Sequence, residues 1–138
     1  MEVVQKKNNK YVLRFEKGES FLPRLEKFLK KENIQGAWFW GIGALTGVEI
    51  AYYDIEKGKY FRKKFKEKFE VLSLTGNVAA AESSRVVHAH IVLGRKNYSV
   101  VGGHLVSGMV GGTLEVLLDS SFKLSKKLDK DTGLSFLW

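Results

Sequence analysis

The chain has 138 residues, a length that suits one domain whose hydrophobic core needs no covalent staples. Apolar residues make up 44% and charged residues 28%, the balance of a globular protein rather than a disordered one, and no apolar run reaches membrane-spanning length. Cysteine is absent, which excludes disulfides and thiolate metal sites and leaves only nitrogen and oxygen ligands for any metal.

Lys and Arg number 23 against 15 Asp and Glu, a formal net charge of +8. Such an excess favours polyanions, nucleic acid first, because basic side chains release the counterions condensed on phosphates. A heat-adapted, thermostable protein built on Lys–Glu networks and sparing of Gln and Cys has the same composition, so charge alone does not choose between the two. The start, MEVVQKKNNK, lacks the apolar block of a signal peptide, and with the absence of cysteine this is the pattern of a cytoplasmic protein with no membrane partner.

In chain order, EVVQKKNNKYVLRF predicts a hairpin turning at Asn8-Asn9, since Asn tolerates the left-handed backbone of a tight turn. SFLPRLEKFLKKEN predicts the principal α-helix, about residues 20–32. Ser20 stands at its start, Pro23 in its first turn and Asn33 at its end. Phe21, Leu22, Leu25, Phe28 and Leu29 form one apolar stripe that should lie on a sheet. IQGAWFWGIGALTGVEIAYYD is strand-like but interrupted by Gly36, Gly41, Gly43 and Gly47, which suggests bulges or close backbone approach. Within it, Ala37 to Trp40 is more apolar than one strand face requires. The chain turns at Glu56-Lys57-Gly58 and returns through KYFRKKF. Four more β-rich runs follow: KFEVLSLTGNVAAAE, RVVHAHIVLG, YSVVGGHLVSG and GGTLEVLLD. The expectation is an α+β fold: a single domain over residues 1–138, mainly antiparallel twisted β-sheet with one principal helix packed on it.

The run Gly58–Glu70 interleaves Arg62, Lys63, Lys64, Lys66 and Lys68 with Tyr60, Phe61, Phe65 and Phe69. The cations could contact phosphates while aromatics stack on unpaired bases. The alternative is a strand pair with its rings in the core and its lysines in water, and aromatics at strand spacing favour that alternative. Lys123, Lys126, Lys127 and Lys130 form a second basic segment.

All three histidines fall between residues 88 and 104. His88 and His90, two apart in a strand, share a face. His104 lies in the next run, and register decides where it points. A three- or five-residue loop brings it to the same face, a two- or four-residue loop sends it to the other, and a bulge at Gly102-Gly103 could reset the parity. If the three converge, neutral imidazoles would hold zinc or another divalent ion and leave a fourth position open, with Gly102 and Gly103 giving room beside it. If they do not, His88 and His90 are ordinary half-buried histidines. No carboxylate lies within the segment to serve as a general base. Glu82 and Glu115 on flanking runs are the nearest, each more often a surface charge. Ser73, Thr75, Ser99 and Ser107 lack the company of a nucleophile triad, so no catalytic residue is assigned.

An ordered series of motifs resembles the PPC (plants and prokaryotes conserved) domain. It runs through Arg14 with Gly18-Glu19, GIGAL (41–45), AYYD (51–54), KFEVLSLTGNV (68–78), HAH, GGHL, LEV (114–116) and LDKDTGL (128–134). The resemblance spans nearly the whole chain. It implies an α+β fold assembled as a homotrimer and a DNA-binding role, architectural or regulatory. The H-x-H and GGH pattern it carries places a zinc-like metal site on His88, His90 and His104. The AT-hook that precedes this domain in plant proteins, with its Arg-Gly-Arg-Pro core, is absent from the sequence. Two other readings stand beside this one: a metal-dependent enzyme or binder of a small ligand using the open metal position, and an oligomeric interaction module that needs neither DNA nor metal.

Overall fold

The computed structural model describes residues 1–81 and 84–138. Glu82 lies outside the described residues. β1 (Glu2–Lys7) and β2 (Lys10–Glu16) form the expected hairpin, with Asn8 in the left-handed conformation at φ 53°. α1 spans Phe21–Lys31. Ser20 occupies its N-cap position with extended backbone but makes no side-chain capping bond, and Asn33 ends the helix at φ 53°.

β3 (Ala37–Asp54), β4 (Lys59–Ala81), β5 (Ser84–Gly94) and β6 (Val100–Asp119) complete the main sheet, in the order β1-β2-β6-β3-β4-β5 and antiparallel throughout. Two pairs of runs that look separate in sequence are single long strands. KYFRKKF continues into β4, and GGTLEVLLD is the second half of β6. Such lengths are bent by bulges rather than ended by turns. β3 shifts register against β4 between Gly41 and Gly43 and between Thr46 and Val48, as the interrupting glycines suggest. A Cβ at Gly41 would lie 2.8 Å from the Glu115 carbonyl, so close approach of β6 demands glycine there.

The start of β6 also pairs with β5. The strands β3, β4, β5 and β6 therefore close on themselves at one end of the sheet, while β1 and β2 extend it at the other. A short hairpin of β7 (Lys126–Leu128) and β8 (Ser135–Leu137) then folds back on the outer face. A parallel bridge from Ser125 to Ala80 and a 2.7 Å hydrogen bond from the Tyr53 hydroxyl to the Thr132 carbonyl attach it. Its turn is held by Asp129, whose Oδ2 accepts from the Thr132 amide and hydroxyl; those bonds keep the carboxyl below the usual range.

The core lies between the helix and the inner face of the sheet. Phe21, Leu25 and Leu29 are fully buried against Leu13, Phe15, Phe39, Leu114 and Leu118. Phe21 meets Phe15 and Phe39 edge-on, at centroid distances of 5.0 and 6.3 Å. The ring of Phe39 fills the space a side chain at Gly76 would need, locking β3 to β4 beside the strand that carries His88 and His90. No helix among the described residues is long and apolar enough to cross a membrane.

Phe39 is the ring on which this packing converges. Phe39→Ala should lower unfolding free energy by about 3–5 kcal/mol, read from the urea midpoint at unchanged m-value. A loss below about 1 kcal/mol would show that the ring is not a core element.

A three-histidine cluster at the closed end of the sheet

The β5–β6 connection contains five residues, Arg95–Ser99, between paired Gly94 and Val100. An odd loop length keeps the parity, and Gly102 and Gly103 pair with Val92 and Ile91 without a bulge. His104 therefore stands directly opposite His90. At the same rung it pairs with Ala51 of β3, so it sits where β6 is flanked on both sides. His88, His90 and His104 share the outer face, while Ala89, Ile91, Leu93 and Leu105, which alternate with them, are buried inside.

Their ring centroids are separated by 5.0, 5.1 and 5.7 Å, and one nitrogen from each lies within 4.8 Å of the others. Three imidazoles on a tetrahedral zinc at 2.0–2.1 Å would bring their nitrogens to about 3.3–3.4 Å. Small inward ring rotations span that difference. The donor set is of the right type: neutral imidazole nitrogen suits zinc and its borderline neighbours. Burial, then the nearby Lys126 ammonium and the other two rings, pushes His88 down to about 4. His104 is lowered by burial first, then by His90, Lys126 and Arg62. Both rings are thus held in the neutral form that a cation requires.

The cluster opens into a cleft of about 800 Å³ between the outer face of the sheet and the β7–β8 hairpin. Gly103 lines it, and a Cβ there would lie 2.8 Å from the Ala51 carbonyl. Gly102 does not line it; its constraint is the Ile91 carbonyl, 2.7 Å from where a Cβ would stand, so its role is strand packing. Tyr60 leans on His104 at 5.3 Å and on Tyr53 at 4.8 Å. Asn77, directly across from His88, is the one buried polar side chain among the described residues, and its Oδ1 meets no hydrogen-bond donor. Lys126 is half-buried in the wall, where burial lowers its amine below the ordinary lysine value.

Neither Asn77, inside the 68–78 motif, nor Lys126, inside the second basic segment, is tied to the histidines by the sequence. Asn77 had a signal, a lone amide in the apolar run TGNVAAA. Lys126 had none, because the hairpin that carries it across the sheet is short and mostly polar. Glu115 lies away from the cleft, on an exposed part of β6.

The basic run is divided by strand parity. Phe69 is buried and Phe65 packs against the core, whereas Tyr60 and Phe61 remain exposed, so half the aromatics are core and half are not. Arg62, Lys63, Lys64, Lys66 and Lys68 are all exposed. Lys63 lies over the Phe65 ring, on the opposite face from the other four. Glu49 pairs with Arg62 at 3.9 Å and Lys64 at 3.6 Å, while Lys66 and Lys68 have no ion pair among the described residues.

The profile of the Plants and Prokaryotes Conserved (PCC) domain matches residues 3–121. Several solved structures share the fold over nearly their whole length. A plant- and prokaryote-conserved (PPC) protein of Pyrococcus horikoshii is 35% identical, with a TM-score of 0.87 over 100% of this chain and 97% of that one. A metal-containing protein of Archaeoglobus fulgidus is 34% identical, with a TM-score of 0.85 over 99% and 95%. A "putative DNA-binding protein" of Bacteroides thetaiotaomicron is 29% identical, with a TM-score of 0.92 over 97% and 94%. No curated protein matches the chain.

The depressed value of His88 fixes the sign of an acid effect in the metal-free protein. Between about 6.5 and about 4 the unfolded chain binds a proton at this ring that the folded chain does not, so stability falls as pH falls through that window. Below it the loss from this group is complete. Urea midpoints measured from pH 7 to pH 4 should therefore decline, and His88→Gln should flatten the decline; an equally steep slope in the variant would refute the assignment.

Proposed function

The chain belongs to the Plants and Prokaryotes Conserved domain family, and from that premise we propose that it acts in the cytoplasm as a homotrimeric DNA-binding protein carrying a divalent metal, zinc by its ligand type, on His88, His90 and His104. The observation that carries the DNA part is a row of exposed cations on one face of β4. Arg62, Lys64, Lys66 and Lys68 alternate along it, beginning beside the histidine cleft and extending away from it. The two farthest from the cleft are free of carboxylate partners among the described residues and so are available to phosphate. Exposed Tyr60 shares that face at the start of the row and suits contact with bases or sugars, whereas Phe61 lies on the other face with Lys63. The solved relative described as a DNA-binding protein supports the same reading.

Trimer formation is supported by the outer face of the sheet next to the cleft. Trp40, Ile42, Leu72 and Leu117 are 45%, 60%, 52% and 45% exposed around one shallow depression. Large apolar side chains grouped in this way are costly in water and suit a subunit interface. Assembly would also multiply weak phosphate contacts through avidity. The metal part is supported by the facing imidazoles and by the metal-containing relative. An enzymatic role draws less support, because the three imidazoles are taken as metal ligands in this reading and no carboxylate among the described residues lines the cleft beside them.

Duplex DNA titrated at two salt concentrations should bind more weakly at the higher one. Lys66→Ala with Lys68→Ala should reduce the slope of log K against log salt by about one per lost phosphate contact. No binding at low salt, or an unchanged slope, would overturn the DNA reading. Sedimentation should give a trimer that Trp40→Glu dissociates into folded monomers; a monomeric native protein would refute the assembly. Elemental analysis of protein purified without added metal should give about one divalent ion per chain, lost in His90→Ala.

A further inference from the structure

Resting on the metal reading above, the geometry points to a ligand site for a small apolar carboxylic acid in the cleft. Its carboxylate would lie among the histidine-held cation, the Lys126 ammonium and the Asn77 side chain, and its body would lie against the apolar wall. Four observations converge on this. The first is charge. A divalent cation on three neutral imidazoles keeps its full +2, and the half-buried Lys126 adds a further positive charge in the same cleft. No Asp or Glu among the described residues lines it. Like charges brought together in a partly desolvated space repel unless an anion joins them, and no described side chain in the cleft supplies that balancing charge, which a bound anion would.

The second is the Asn77 amide. It is 8% exposed, faces the cleft beside His88, and leaves its Oδ1 without a donor. A buried amide edge without a partner costs free energy unless something fills it. Because the two ends of an amide exchange by a flip, the edge can offer its N–H₂ to an anion or its oxygen to an acid or hydroxyl group.

The third is size. At about 800 Å³ the cleft exceeds what one ion and its water need and falls within the range of small-molecule sites. The fourth is the wall. Ile55, Val86, Leu134, Phe136 and Leu137 line it together with Tyr53. A bare inorganic anion would leave those side chains facing water, whereas a carboxylic acid with an aromatic or branched aliphatic body would cover them. The hairpin that supplies half of these residues is tied to β3 by the Tyr53–Thr132 hydrogen bond, so the wall is part of the fold and not a loose tail.

The test uses cobalt(II) in place of the native ion, because its visible spectrum reports changes in its surroundings, with benzoate as the probe and acetate and inorganic phosphate as comparisons. The cobalt-loaded protein should show a saturable spectral change with benzoate, at an affinity about tenfold or more above acetate and phosphate, since neither covers the apolar wall. Lys126→Met should weaken benzoate about tenfold while cobalt content stays the same, and Lys126→Arg should restore most of the affinity. Cobalt uptake with a spectrum indifferent to benzoate would overturn this inference and leave the metal reading standing. Phosphate binding as tightly as benzoate, or Lys126→Met binding it normally, would do the same. Failure of the native protein to take up cobalt would overturn the metal reading itself, and this inference with it.

Discussion

One row of cross-strand neighbours organises the outer face of this protein. Val12, Leu117, Trp40, Thr75, His90 and His104 face each other in succession across β2, β6, β3, β4, β5 and β6 again. The row meets β6 twice because that strand is long enough to flank β3 along much of its length and still close onto β5 near its start. Closure at the His90–His104 rung is the constraint on which the site depends. Directly opposed residues hold their Cβ atoms about 4.5–5.5 Å apart, close enough for two rings to share a ligand. A slip of one residue would carry His104 to the inner face. What prevents the slip is on the inside: Ile91, Leu93 and Leu105 are buried, and each contributes on the order of 1.5–3 kcal/mol by leaving water. The apolar residues between the histidines thus set the geometry, and the histidines bear the cost of partial burial.

That division explains what could be read from the sequence and what could not. The hairpin at Asn8-Asn9, the helix with its apolar stripe and the shared face of His88 and His90 follow from local periodicity, and all are present. The convergence of His104 does not follow locally, because it turns on whether four or five residues make a loop. That loop contains no glycine or proline of its own, and its left-handed position is taken by Tyr98 at φ 64°, a residue that no turn preference would select. The tie from Tyr98 N–H to the Arg95 carbonyl and from Arg95 N–H to Ser99 closes it instead. Likewise β6 looks interrupted at Gly111-Gly112 and β4 at the charged pair Lys66-Glu67, where bulges bend continuous strands. The wall of the cleft was the least legible part. Lys126 reaches the histidines only because the chain beyond β6 doubles back, and no periodicity in three-residue strands announces such a fold.

The electrostatics of the cleft are one-sided in a way that the whole-chain charge does not convey. Elsewhere the cations are moderated: Glu49 faces Arg62 and Lys64, Glu67 faces Arg95, and Asp119 faces Lys10. At the cleft no such carboxylate stands among the described residues, and the polar side chains present are three imidazoles, an ammonium, an amide and the hydroxyls of three tyrosines and Ser135. Burial keeps His88 and His104 neutral, which lowers the cost of gathering them but supplies no negative charge. A site so arranged favours an anion once a cation is bound. Farther along β4, beyond the Glu49-paired Arg62 and Lys64, Lys66 and Lys68 again stand without carboxylate partners among the described residues.

The apolar patch and the cleft lie on the same row, and that proximity has a physical consequence. Trp40 is separated from His90 only by Thr75, two strand spacings or about 10 Å. Inward, the rung below is Phe39, Gly76 and Ala89, packed without slack: a Cβ on Gly76 would stand 2.5 Å from the His88 carbonyl and would collide with the Phe39 ring. A partner pressed against Trp40 and Leu117 would therefore bear on strands that cannot shift inward to absorb it. The strain could pass along the hydrogen-bonded rung to His90, whose own face is open. Close-packed interiors transmit small displacements in this manner rather than dissipating them. If a partner on this face altered the geometry at His90, the effect would be reciprocal, because a coupling free energy between two sites acts equally on both.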